Sequence, residues 1–289
     1  MTEPAKSGTR TEGWSRRAWT AALLAGLGLA AVFSSNPVPV GVLALIVAIA
    51  GYREYARMTA LKVHFWGGTL VAIAAGSAVL LVAAWEPPGS LWFLGAAWLG
   101  LIVGLIGLAD YLRARPHSWL APFGGAWVTA PVSAAIVVHQ RTAIEPAPFV
   151  ANAVLMLLVP IWLGDTAAYF IGRKYGKHLL APQLSPKKTW EGASANFVGC
   201  VLATIALGAQ LGVPWPTSLA VGSLAGVLGQ AGDLFQSAIK RAAGRKDSGG
   251  MLPGHGGVLD RMDSFFVACV PCATALALGA PWLFHVKQL

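Results

Sequence analysis

Acidic side chains are the scarcest chemistry in this sequence, with 12 Asp and Glu among 289 residues against 21 Lys and Arg. Charged residues of both signs amount to 11%, while 56% are apolar. So little polar surface does not coat a water-soluble domain, which excludes an ordinary soluble enzyme. Cysteine is nearly absent. Cys200, Cys269 and Cys272 are an odd number and offer no closed disulfide set. Cys269-Val-Pro-Cys272 has redox or metal spacing, but it lies in an apolar run without partner ligands, so packing is the favoured reading. The Walker pattern G-x-x-x-x-G-K-[ST] is missing, which argues against a P-loop ATPase. The sequence carries no internal repeat, no low-complexity tract and no separate soluble domain.

What fills the chain is long apolar runs. A bilayer core takes about 20 helical residues, and candidate spans read at about 18–34, 37–52, 65–85, 91–110, 119–139, 149–172, 193–212, 217–232 and 264–285. The runs are continuous rather than alternating, so they predict an all-α, polytopic membrane protein with about nine transmembrane helices rather than a β-barrel. The first run resembles a secretion signal, but with eight spans behind it an uncleaved helix is expected. With the N-terminus placed in the cytoplasm, 19 of the 21 basic residues fall on cytoplasmic segments, leaving Arg141 and Lys287 outside. Three parts are expected: a basic cytoplasmic tail at 1–17, N-terminal transmembrane helices at 18–148 and a catalytic transmembrane region at 149–289. The net charge of +9 then describes a basic face, at the plasma membrane, that attracts anionic lipid and polyphosphates, with no nucleic acid required.

The few acidic residues are concentrated. Asp165, Glu191, Asp233, Asp247, Asp260 and Asp263 all fall between residues 165 and 263. Asp165, in "LVPIWLGDTAAYFIGRKYGKH", is apolar on both sides, and a carboxylate at membrane depth is a functional candidate by default. Its structural alternative is a helix-packing bond to Thr166 or Tyr169. In "SPKKTWEG", Ser185-Pro186 is expected to open a turn and Lys187 and Lys188 to present paired cations, which alone would serve as headgroup anchors. If residues 233 to 241 are helical, the ~100° step per residue puts Asp233, Ser237 and Lys240 within about 60° of one another, with Arg241 at the margin. The proline and glycines of "LPGHGG" prevent a helix and admit close backbone approach to a ligand. Asp260-Arg261-Met262-Asp263 then opens the last span with two carboxylates one turn apart, where simple helix capping is the alternative role.

Carboxylates, cations and glycines at a membrane surface suit a hard divalent ion such as Mg²⁺, bridging one or two carboxylates to phosphates while Lys and Arg neutralise charge. The residues thus support metal-assisted phosphoryl or nucleotidyl transfer involving a lipid.

The run from Ser237-Ala-Ile-Lys240-Arg241 through Lys246-Asp247-Ser-Gly249 to Leu252-Pro-Gly-His255-Gly256-Gly257-Val-Leu-Asp260-Arg261-Met-Asp263 resembles the full signature of the phosphatidate cytidylyltransferases, or CDP-diacylglycerol synthases. "GDTAAYFIGRKYGKH" and "SPKKTWEG" are similar to two further blocks of that family, and the likeness covers about residues 165–263. The resemblance implies CTP and phosphatidate as substrates, CDP-diacylglycerol and pyrophosphate as products, a site at the cytoplasmic leaflet and a homodimer. It implies that Asp233 and Asp260 bind Mg²⁺, with Asp263 the next candidate and a second cation left open. Lys240, Arg241, Lys246 and Arg261 would hold the triphosphate or the lipid phosphate, with Lys187 and Lys188 facing the same polar cavity and Asp165 in the substrate-binding set. Ser237, Gly256 and Gly257 join the substrate-binding set. His255 would meet a phosphate oxygen, protonate the leaving pyrophosphate, or stabilise its own loop. Glu191 and Asp247 would orient the cations through ion pairs. Two other classes compete. A CDP-alcohol phosphotransferase also uses clustered aspartates, but its D-G-x-x-A-R spacing is absent, and a transporter has no evident use for the glycine-rich loop.

Overall fold

The computed structural model describes residues 26–33, 37–59, 73–74, 76–81, 84–85, 90–114, 124–142, 153–252 and 256–284. The tail at 1–17 and most of the first and third expected spans lie outside the described residues, although residues 26–32 and 76–81 are helical. Seven long helices follow in order: α1 Pro37–Met58, α2 Trp92–Ala114, α3 Ala126–Thr142, α4 Leu155–Tyr175, α5 Trp190–Leu211, α6 Trp215–Ala242 and α7 Leu259–Gly279. Two short strands, β1 Leu179–Ala181 and β2 Ser185–Thr189, sit between α4 and α5, and a 3-10 turn at Pro281–Phe284 follows α7. Six of the seven, all but the 17-residue α3, are long and apolar enough to cross a membrane. Leu45, Leu202, Val227 and Leu278 are each more than half exposed, an outward apolar surface that lipid satisfies and water does not. The chain is an all-α, multi-pass membrane protein.

Local chemistry sets the helix ends. Thr189 caps α5 by accepting from Gly192 N at 3.2 Å, and Gly212, at φ +69°, ends it in the left-handed conformation. Pro216 stands in the first turn of α6, where a missing N–H costs nothing. The expected span at 217–232 falls short. α6 continues to Ala242, because Asp233-Leu-Phe-Gln-Ser-Ala-Ile-Lys keeps helical character after the chain turns polar, so membrane crossing and polar helix are one rod. Ser185-Pro186 does not open a turn either. The turn is at 182–184, and Ser185 already pairs with Ala181 in the antiparallel hairpin. Pro186 is tolerated there because a two-stranded ribbon has a free edge for each strand.

Glycine lets the C-terminal helices close on one another. A Cβ at Gly222 of α6 would lie 2.1 Å from Thr204 Oγ1 and 2.7 Å from Val201 Cα on α5. At Gly232 it would lie 2.7 Å from Asp263 O on α7. Small residues at such contacts are how membrane helices gain packing where lipid removes the hydrophobic drive between them. α4 packs on α5, α5 on α6 and α6 on α7, while α3 joins α1 and α2 to α7. Trp127 of α3, 1% exposed, meets Phe266 of α7 edge-on with ring centroids 5.2 Å apart, fixing the seam between the two halves.

Candidate active site

The polar residues gather where α4 and α6 end and α5 and α7 begin, at one end of the bundle. β2 brings Lys188 in from the side. Its Nζ lies 2.6 Å from Asp233 Oδ2 and donates to Gln230 Oε1 at 3.2 Å, both acceptors on α6. Asp165 of α4 accepts from Asn196 Nδ2 of α5 at 2.9 Å. Thr166 and Tyr169 are not its partners, since Thr166 donates to Trp162 O and the Tyr169 hydroxyl accepts from Arg173. Asp165, Lys187, Lys188 and Asp233, with Tyr169, Arg173 and Gln230, line a cavity of about 710 Å³. That volume falls within the ~300–1,000 Å³ of small-molecule sites.

A second cluster lies farther along α6. Asp260, in the first turn of α7, accepts on Oδ1 from Lys240 Nζ at 2.8 Å and Gln236 Nε2 at 3.4 Å. Its Oδ2 accepts from the amides of Ser248 at 2.9 Å and Gly257 at 3.1 Å. An ionised carboxylate has about four acceptor positions, so this one is fully engaged. Gly256 has φ +83°, and Leu252 N donates to its carbonyl at 2.9 Å, closing the tip of the loop. His255 lies outside the described residues.

The remaining expected residues divide. Ser237 Oγ donates to Asp233 Oδ1 at 3.5 Å, in keeping with the shared helix face. Asp263 is 8% exposed, accepts from Ser264 N at 2.8 Å and lies in electrostatic range of Asp233, Lys240 and Asp165. Arg241, Lys246, Asp247 and Arg261 are exposed and do not line the cavity, and Arg241 donates to Arg245 O. Glu191 is a correction. It lies 2.7 Å from His178 Nδ1 and accepts from the His178 amide, so it braces the hairpin rather than orienting Lys187 or Lys188. Asp247 makes no ion pair among the described residues. Glu54 is the residue that sequence reasoning missed. Located on α1 and 2% exposed, it accepts on Oε2 from Ser248 Oγ at 3.0 Å and from Leu259 N at 2.9 Å.

Among the described residues no three His, Cys, Asp or Glu side chains form a metal cage. The donors at hand are nevertheless hard carboxylate oxygens, and Asp233 and Asp260 each already hold an ammonium group. Buried Asp263 holds none within ion-pair distance. Such a set fits a hard divalent ion that takes its other ligands from water or phosphate.

Fold and site together define a class: a helical membrane protein whose carboxylates and lysines gather at one end of its bundle, with Asp260 bonded to the glycine-rich segment. The chain belongs to the Cytidylyltransferase family, which matches residues 15–278. It is 32% identical over 250 residues to the phosphatidate cytidylyltransferase of Pseudomonas aeruginosa, covering 82% of this chain and 86% of that one. Identity rises to 51% over 109 residues with the Bacillus subtilis phosphatidate cytidylyltransferase, there covering 37% of this chain and 40% of the relative. The chloroplastic phosphatidate cytidylyltransferase 5 of Arabidopsis thaliana is 48% identical over 117 residues, 39% of this chain and 29% of that protein.

Proposed function

We propose that this protein transfers the cytidylyl group of CTP to phosphatidate, forming CDP-diacylglycerol and releasing pyrophosphate at the cytoplasmic face. The observation that carries this reading is the pair of carboxylate–ammonium contacts along α6, Lys188–Asp233 at 2.6 Å and Lys240–Asp260 at 2.8 Å. Both lie beside a cavity or loop suited to phosphates, and the names borne by the relatives support the same substrates.

A phosphatidate oxygen attacks the α-phosphorus of CTP in line. A new P–O bond forms as the α–β bridging bond breaks, and pyrophosphate carries away the electron pair. Phosphatidate is already an anion, so the reaction needs no protein nucleophile and rests on positioning and charge neutralisation. Lys187 and Lys188 hold phosphate oxygens in the cavity, and Lys240, Arg241, Lys246 and Arg261 serve the triphosphate from the loop side. Ser237 and the close backbone approach that Gly256 and Gly257 permit add neutral contacts, and His255 serves the leaving pyrophosphate. Asp233 with Asp260 or Asp263 would hold Mg²⁺, and at Asp260 the ion would take the place of the Lys240 ammonium. Bound Mg²⁺ supplies positive charge to the phosphates.

The test uses purified protein with radiolabelled CTP, phosphatidate and Mg²⁺. Label in a chloroform-soluble liponucleotide is expected, and label confined to the aqueous phase counts against the proposal.

A further inference from the structure

Glu54 occupies a place that an apolar span does not supply cheaply. A buried carboxylate is retained only where something compensates its burial. Here the compensation comes from a loop 194 residues away, since Ser248 Oγ and Leu259 N both donate to Oε2 while Oε1 has no hydrogen-bond partner. The two donors are the opposite ends of the glycine-rich segment. Asp260 grips the same two ends from the other side, through the amides of Ser248 and Gly257. The segment therefore leaves α6 and enters α7 through one neck held between two carboxylates.

The packing leaves that neck no slack. A Cβ on Gly257 would lie 2.0 Å from Ser248 Oγ and 2.4 Å from Glu54 Oε2, and one on Gly249 would lie 2.6 Å from Glu54 Oε1. Two glycines are thus required around Glu54 by its own volume.

We infer that Glu54 is a positioning residue of the transferase, a reading that rests on the function proposed above. By clamping Ser248 and the start of α7 it sets the orientation of Asp260. The N-terminal half of the chain thereby takes part in the active site without touching substrate.

The experiment compares full-length wild type, Glu54→Gln, Glu54→Asp and Ser248→Ala in detergent. Hydrogen exchange is read across residues 246–260, alongside steady-state kinetics and thermal stability. Glu54→Gln keeps the shape but sets an amide donor or a weaker acceptor against Leu259 N. Exchange in the loop is expected to rise about tenfold, with kcat down about 10–100-fold and KM for CTP nearly unchanged, the range seen when an outer supporting partner is lost. Ser248→Ala should give a smaller loss that does not add to that of Glu54→Gln, because both open one neck. Glu54→Asp should restore part of the rate if the carboxylate matters, and none if only volume does, which overturns the inference. Unchanged loop exchange overturns it as well, as does a loss of turnover matched by loss of folded protein in every variant. If wild type itself makes no liponucleotide, the transferase reading falls, and the clamp is then judged by exchange alone.

Discussion

Lys188 and Asp233 meet at 2.6 Å across the junction of an extended strand and a membrane-spanning helix. Their side chains are 21% and 31% exposed, so the pair faces the open cavity and adds at most about 1 kcal/mol to stability. Its substitution should therefore be felt in rate before fold. Lys188→Ala is expected to lower kcat/KM for CTP about 10²–10³-fold, the usual cost of one lost charge-stabilising donor. Lys188→Arg should keep part of the activity, and Asp233→Asn should leave almost none. Initial rates beside thermal-shift size-exclusion profiles check this, and near-normal turnover by Lys188→Ala and Asp233→Asn would remove the pair from the chemistry.

Much of this site was legible from residue order. The helical face bearing Asp233, Ser237 and Lys240 and the carboxylates opening α7 follow from the helical period. The hairpin at Ser185, the partner of Glu191, the length of α6 and the place of Glu54 were not. α6 reads as two pieces in hydropathy because polarity changes at Asp233 while helix propensity does not. Glu54 reads as an ordinary acidic residue between Arg53 and Arg57 at the end of a span, and only folding reveals that it faces Ser248. Long-range pairs leave no period in a sequence.

Lys240 and Asp260 form a more enclosed pair, with side chains 12% and 9% exposed. Removing one partner strands the other charge, at a cost of about 3–5 kcal/mol. Asp260→Asn should therefore lower both activity and melting temperature, the latter by on the order of 5–10 °C. The double variant Lys240→Met, Asp260→Asn should regain much of the stability and none of the activity. Paired melting curves and rates separate these effects, and a double variant less stable than Asp260→Asn alone contradicts the account.

The thiols should be dispensable for chemistry. Cys269 and Cys272 are each 1% exposed, with Sγ directed at Pro131 O and Val221 O. Cys200 is fully buried and directed at Pro160 O. Buried thiols without a metal or base beside them are inert packing groups. Cys269→Ala with Cys272→Ala is expected to keep kcat within about twofold while costing about 1–2 kcal/mol of stability through lost volume. A rate that collapses in this variant, or in wild type under a mild thiol reagent, would falsify the packing role.

Neighbouring glycines give the sharpest contrast. Gly250 has nothing within 4 Å of where a Cβ would stand, whereas a Cβ at Gly257 would lie 2.0 Å from Ser248 Oγ and 2.4 Å from Glu54 Oε2. One added methyl is therefore harmless at the first position and forces the loop neck open at the second. Gly250→Ala should turn over at close to the wild-type rate. Gly257→Ala should displace the amide that Asp260 accepts, costing about 10²-fold in kcat, because small misplacements of supporting groups act strongly on a positioned reaction. The two variants differ by the same atom added seven residues apart, so composition and helix propensity cancel in the comparison. Equal rates for the two would mean that the neck does not govern turnover, whatever holds it in place.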